Sequence, residues 1–176
     1  MARDRYVTWE ESTPPPAWAI ALVVLVTTVP GAVMALEALR RLAGGEPGAA
    51  LSGLAGAAGL LLALALFLLL FGRLHVQVTR TSLLVGFGYL PLIQKLVLFD
   101  EITDIEPVTY SPLREFGGWG IRWGRRGKKA WTARGNRALR LTLTDGTLLY
   151  VGSDDPERLA ARMRLVGGGR WDDSRA

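Results

Sequence analysis

Two stretches of this chain carry no charge for longer than a bilayer is thick, and they constrain everything around them. Ala17–Leu36 runs for twenty residues, AWAIALVVLVTTVPGAVMAL, and Ala49–Phe71 for twenty-three, AALSGLAGAAGLLLALALFLLLF. At a rise of about 1.5 Å per residue, a helix over either one spans the roughly 30 Å hydrocarbon core. Neither has the polar face of a surface helix. The remainder of a 176-residue chain is too small to wrap two helices that are apolar all round, which argues against a soluble bundle. The pattern predicts a transmembrane helical hairpin over residues 17–71. A cleaved signal peptide fits the first window poorly, because sixteen residues including Glu10, Glu11 and Pro14-Pro15-Pro16 precede it, where a signal peptide has a short basic leader. Trp9 and Trp18 suit the interfacial aromatic belt of a retained span.

Within the first window, Pro30-Gly31 predicts a kink, since proline removes one helical hydrogen bond and crowds the preceding turn. In the second, Ser52, Gly53, Gly56 and Gly59 recur at spacings that let another backbone approach closely. Their expected partner is the first helix, tethered through the short Arg40–Gly48 connection, in preference to a second copy. Sidedness follows from charge. Of 21 basic residues, Arg3, Arg5, Arg40 and Arg41 precede Gly72 and seventeen follow it. This distribution places both termini in the cytoplasm and the short loop outside, as expected for an integral protein of the cell membrane.

Past Gly72 the apolar pattern changes from continuous to alternating. Leu74, Val76 and Val78 alternate with His75, Gln77 and Thr79, the period of a strand. A turn at Arg80-Thr81 leads into Ser82–Gly88. Lys95–Phe99 and Ile102–Tyr110 read as one bent strand region, and Gly118–Trp123 and Ala130–Arg134 flank a basic turn. Ala138–Thr144 and Thr147–Gly152 form a hairpin at Asp145-Gly146, a dipeptide suited to a two-residue turn. Asp154 or Asp155 then caps a helix with Pro156 in its first turn and Leu159, Met163 and Val166 as its apolar stripe. The expected organisation is a leader (1–16), the hairpin (17–71), a domain of seven strands and a closing helix (72–166), and a flexible tail (167–176).

That order suits a pleckstrin-homology-like (PH-like) β-barrel or sandwich with a C-terminal capping helix. The stretches GGWGIRWG (Gly117–Gly124), RLTLTDGTLLYVGS (Arg140–Ser153) and DPERLAARM (Asp155–Met163) resemble small bacterial membrane proteins that join a two-helix hairpin to a bacterial PH-like domain. The resemblance covers Gly72–Val166, with the hairpin matching by arrangement. It implies a fold and an interaction role, and no catalytic residue.

The stretch Phe116–Thr144 holds Arg122, Arg125, Arg126, Lys128, Lys129, Arg134, Arg137 and Arg140 with no acidic residue, and Trp119, Trp123 and Trp131 lie among them. Arg125, Arg126, Lys128 and Lys129 crowd a hairpin tip. They are the candidate contact to anionic lipid headgroups, each worth about 1 kcal/mol near a charged leaflet. Trp119 and Trp131 are expected in the core. Eukaryotic PH domains bind phosphoinositides through the loop between their first two strands; here that loop is Arg80-Thr81, without a matching basic motif. Stacking of single-stranded nucleic acid on the tryptophans is disfavoured by the membrane tether and a net charge of only +5. The glycines at 118, 120 and 124 precede a strand, whereas a phosphate loop needs a helix N-terminus. Asp100, Glu101, Asp104 and Glu106 lack the ligand spacing of a calcium loop; a solvated turn with Ile102 and Ile105 inward is expected instead. With no cysteine and His75 the sole histidine, no nucleophile, base and oxyanion donor assemble. The expectation is a non-enzymatic module without cofactor or metal, whose partners are the bilayer, anionic headgroups or a membrane protein. The alternative is an accessory subunit of a transport or secretion assembly docked through the second helix.

Overall fold

The computed structural model describes residues 7–89, 92–125 and 127–171. Both apolar windows are helices: α1 spans Ala17–Ala43 and α2 spans Pro47–Phe71. Their 27 and 25 residues make rods of roughly 40 Å. They pack on each other as an antiparallel pair joined at residues 44–46. Only 6% of either apolar window is buried, so neither is the core helix of a soluble domain. Leu25, Val26, Val33, Leu51 and Leu62 stand outward and exposed. Both helices are long and apolar enough to cross a membrane. α1 continues through Pro30, and upstream of it Thr27 and Thr28 donate their hydroxyls to the Val23 and Val24 carbonyls, which satisfies them inside an apolar helix.

Nine strands, among the described residues, form two sheets around one core. The first sheet has the order β1-β2-β3-β4, with β1 Trp9–Thr13, β2 Leu74–Val78, β3 Ser82–Phe87 and β4 Ile93–Leu98. The second has the order β5-β8-β9-β7-β6, from β5 Ile102–Thr109, β6 Gly120–Trp123, β7 Lys128–Thr132, β8 Arg137–Leu143 and β9 Leu148–Gly152. Among the described residues no ladder joins the sheets, so they form a sandwich and not a closed barrel. The alternation read from the sequence holds: Leu74, Val76, Val78, Leu83 and Val85 meet Ile105, Leu139, Leu141, Leu149 and Val151 across a shared interior. Helix α4, Pro156–Val166, closes it with Leu159, Ala160 and Met163, all fully buried. The Asp155 carboxylate accepts the Arg158 N–H at 3.0 Å, satisfying one orphan donor of the first turn.

The structure departs from the sequence expectation at five places. Residues Trp9–Thr13 of the leader are strand β1, paired with β2 from Trp9↔Val78 to Thr13↔Leu74. The region from Lys95 to Tyr110 is two strands in different sheets, separated by a single 3-10 turn at Phe99–Glu101. A short helix α3, Pro112–Phe116, lies before the glycine run. The hairpin at Asp145-Gly146 uses a three-residue connection: Gly146 donates to the Leu143 carbonyl and Leu143 to that of Thr147. Gly146 takes a left-handed φ of 80° there, the turn-plus-bulge arrangement next in frequency to two-residue loops. The segment after α4 is no free tail as far as Trp171, which is buried, stacks edge-on against Phe99 and donates its indole N–H to the Ile102 carbonyl at 3.0 Å.

Candidate interaction surface

The hairpin of β6 and β7 carries the basic tip. Gly124 donates to the Lys128 carbonyl at 2.8 Å to close it, and Gly127 sits at a φ of 74° that favours glycine. Arg125 is exposed at the tip and Lys129 is half-buried at its base. Arg126 lies outside the described residues. Lys128 does not join them as a free cation. Its Nζ donates to Glu115 Oε2 at 2.7 Å and lies 5.5 Å from the centre of the Tyr150 ring. Glu115 also accepts the Ser111 N–H. The Lys128 hydrogen bond, and then that of Ser111, hold the Glu115 carboxyl below the usual range, while Glu115 raises the lysine. The pair pins α3 over an outer cluster of Tyr110, Phe116 and Tyr150, where burial pushes the Tyr110 phenol up.

Carboxylates from other segments also neutralise most of the remaining basic stretch. Arg134 makes a bidentate pair with Asp154, Arg137 meets Glu157 and Arg140 meets Glu106. What the linear sequence presents as eight bases without an acid is, in space, a paired band with Arg122 and Arg125 left without a carboxylate among the described residues, while Lys129 lies within reach of the Asp145 charge. The tryptophans divide differently from expectation. Trp131 is buried in the core beside Phe87. Trp119 is only partly covered, donating its indole N–H to the Gly135 carbonyl at 2.7 Å with its ring edge-on to Trp18, 6.1 Å away. It bridges the β domain to α1 instead of filling the core. Trp123 is 73% exposed and gives the tip an apolar element beside Arg125.

The β domain is seated directly on the ends of the helices. Three residues separate β1 from α1 and two separate α2 from β2, so the helical hairpin occupies the connection between two paired strands. The Tyr89 N–H donates to the Leu69 carbonyl in the last turn of α2 at 2.8 Å, and Phe71 packs near Phe87. Between the helix ends and β6 lies a cavity of about 560 Å³, lined by Trp18, Ala19, Phe67, Phe71, Leu113 and Trp119, with Arg122 its one charged residue among the described residues. On the helices themselves, a Cβ at Gly53 would meet that of Ala38 at 2.9 Å, and one at Gly56 would overlap the Met34 methyl. These two glycines admit α1. Ser52 is exposed, its hydroxyl on the Ala49 carbonyl, and a Cβ at Gly59 would meet nothing.

The acidic run does not gather into a cation site. Ile102 and Ile105 are buried, Arg170 pairs with Asp100, and no metal-holding group of side chains occurs among the described residues. His75 stands on the sheet surface 4.0 Å from Glu10. No family model, curated protein or solved structure matches the chain.

Proposed function

We propose that this protein is a non-catalytic, membrane-anchored interaction module of PH-like type, holding its β sandwich against the cytoplasmic face of a bacterial membrane. The observation that carries this function is the connection: two helices with long uncharged windows enter and leave through neighbouring strands with three and two intervening residues. A domain attached so closely has no freedom to leave the headgroup region. The sandwich closed by α4 supports the PH-like assignment; the parallel pairing of β7 with β9 is a departure from a simple meander. Gly120 lines the helix junction, so the β6–β7 tip lies within about 15 Å of it along the strand. Trp123 and Arg125 there combine the side chains suited to an anionic interface.

The test is made on the full chain in nanodiscs, with an environment-sensitive dye on a single introduced thiol. One variant is Lys129→Cys beside the tip, which leaves Trp123 and Arg125 in place. The other is Ala161→Cys, exposed on α4, which packs on β5 and β8 at the far side of the sheet from β6. On changing from neutral to anionic lipid, the tip dye should become shielded from an aqueous quencher and the dye at 161 should not. Raising the salt should restore quenching, because exposed charges are screened within about 8–10 Å. Equal quenching in both lipids, together with one protein cross-linked to α2 in native membranes, would favour an accessory subunit docked on the open side of Gly59.

A further inference from the structure

The cavity between the helix ends and β6 has a volume of about 560 Å³, within the roughly 300–1,000 Å³ of small-molecule sites. Two of its walls are the first turn of α1 and the last turns of α2, where the uncharged windows end. In a bilayer that is the depth at which acyl chains meet headgroups. Trp18, Phe67, Phe71, Leu113 and Trp119 make it apolar, and Ala19 leaves it room.

Arg122 is the one charge on its lining among the described residues. The Nε donates to the Trp119 carbonyl at 3.0 Å, which fixes the guanidinium while leaving its two Nη groups available. Arg134, Arg137 and Arg140 of the same basic stretch all meet carboxylates; Arg122 meets none among the described residues. A fixed guanidinium with free Nη donors suits an oxyanion, and phosphate above all. An apolar recess at acyl-chain depth with a phosphate donor beside it has the polarity order of a lipid.

We propose that this cavity binds one anionic glycerophospholipid of the surrounding leaflet, an acyl chain lying between Trp18, Phe71 and Trp119 and its phosphate on Arg122. The site rests on the membrane function proposed above and is separate from the β6–β7 tip. A lipid so held would be a wedge between helices and sandwich, fixing how the domain sits on the membrane.

The experiment uses the full chain in nanodiscs of phosphatidylcholine containing phosphatidylglycerol, with either lipid carrying a photoactivatable diazirine in its acyl chain. Cross-linked peptides are mapped by mass spectrometry. The phosphatidylglycerol probe should label peptides holding Trp18–Val23 and Gly118–Arg122 several-fold more than the phosphatidylcholine probe. Arg122→Gln should reduce that preference to parity, Arg122→Lys should keep most of it, and Ala19→Trp should lower labelling there by both probes. Because Arg122 is exposed, its variants test the site even where Ala19→Trp perturbs folding. Even labelling along both helices, or a preference that survives Arg122→Gln, would overturn the site while leaving the membrane anchor intact. Release of the wild-type chain from membranes by alkaline carbonate would overturn the anchor itself, and the site with it.

Discussion

Lys128 shows how far a side chain's role depends on partners that sequence spacing hides. It stands among basic residues, yet its counter-ion, Glu115, is 13 positions away on α3, and Arg140 reaches 34 positions back to Glu106. Packing of α3 beside the β6–β7 hairpin and pairing of β8 with β5 create these proximities, so a linear charge count overstates the free positive charge. The pair is about 30% exposed on either side, and Glu115→Gln should cost about 1 kcal/mol, the upper end for surface ion pairs. Its pH dependence follows from the two shifts. The lowered Glu115 stabilises the fold above the ordinary carboxylate range and loses that contribution as pH falls through its depressed pKa. The raised Lys128 contributes fully below the ordinary lysine range and loses it only as pH rises through its elevated value. Thermal melts of the full chain in detergent should therefore show the wild-type advantage over Glu115→Gln constant near neutrality and vanishing in acid. An advantage unchanged in acid would mean that the ion pair contributes nothing.

Elements with a strong local signature were legible, and those defined by remote pairing were not. The alternation of β2 and β8, and the Asp155-Pro156 start of α4, each carry their own signal. β1, the segment WEEST, has consecutive glutamates and becomes a strand only because β2, some 60 positions on, supplies its ladder. Glu11 then accepts both the Ser153 hydroxyl and the Asp154 N–H at 2.6 Å, tying the first strand to the loop before α4. Deleting residues 1–13 should thus destabilise the sandwich by at least about 3 kcal/mol, from two hydrogen bonds to a charged acceptor and an unpaired β2 edge. An unchanged melt would make β1 incidental. The same dependence warns that a fragment beginning at Gly72 lacks a strand. For α4, Leu159 is fully buried, and Leu159→Ala should cost roughly 2–5 kcal/mol; a loss within about 0.5 kcal/mol, the range of surface sites, would show that the helix does not seal the core.

At the scale of the whole molecule the helical hairpin is an insertion between two strands of one sheet, so chain segments on both sides of it meet in one folded unit. The two long apolar helices and the β domain were legible in the sequence, which placed the leader outside that domain. The physical consequence is topological: β1 and β2–β9 must lie on the same side of any membrane the hairpin crosses, and residues 44–46 on the other. The absence of cysteine allows this to be read with single thiols. Gly45 has a left-handed φ of 82° and Ser153 is buried against Glu11, so neither is a sound labelling position. Glu46 and Thr144 are exposed, and the Glu46 side chain makes no cap bond. In intact cells Glu46→Cys should react with a membrane-impermeant maleimide, and Thr144→Cys only after the membrane is breached. The reverse pattern would put the β domain outside the cell. Labelling of both in intact cells would deny a simple two-span crossing, and with it the depth at which Trp18, Trp119 and Arg122 meet.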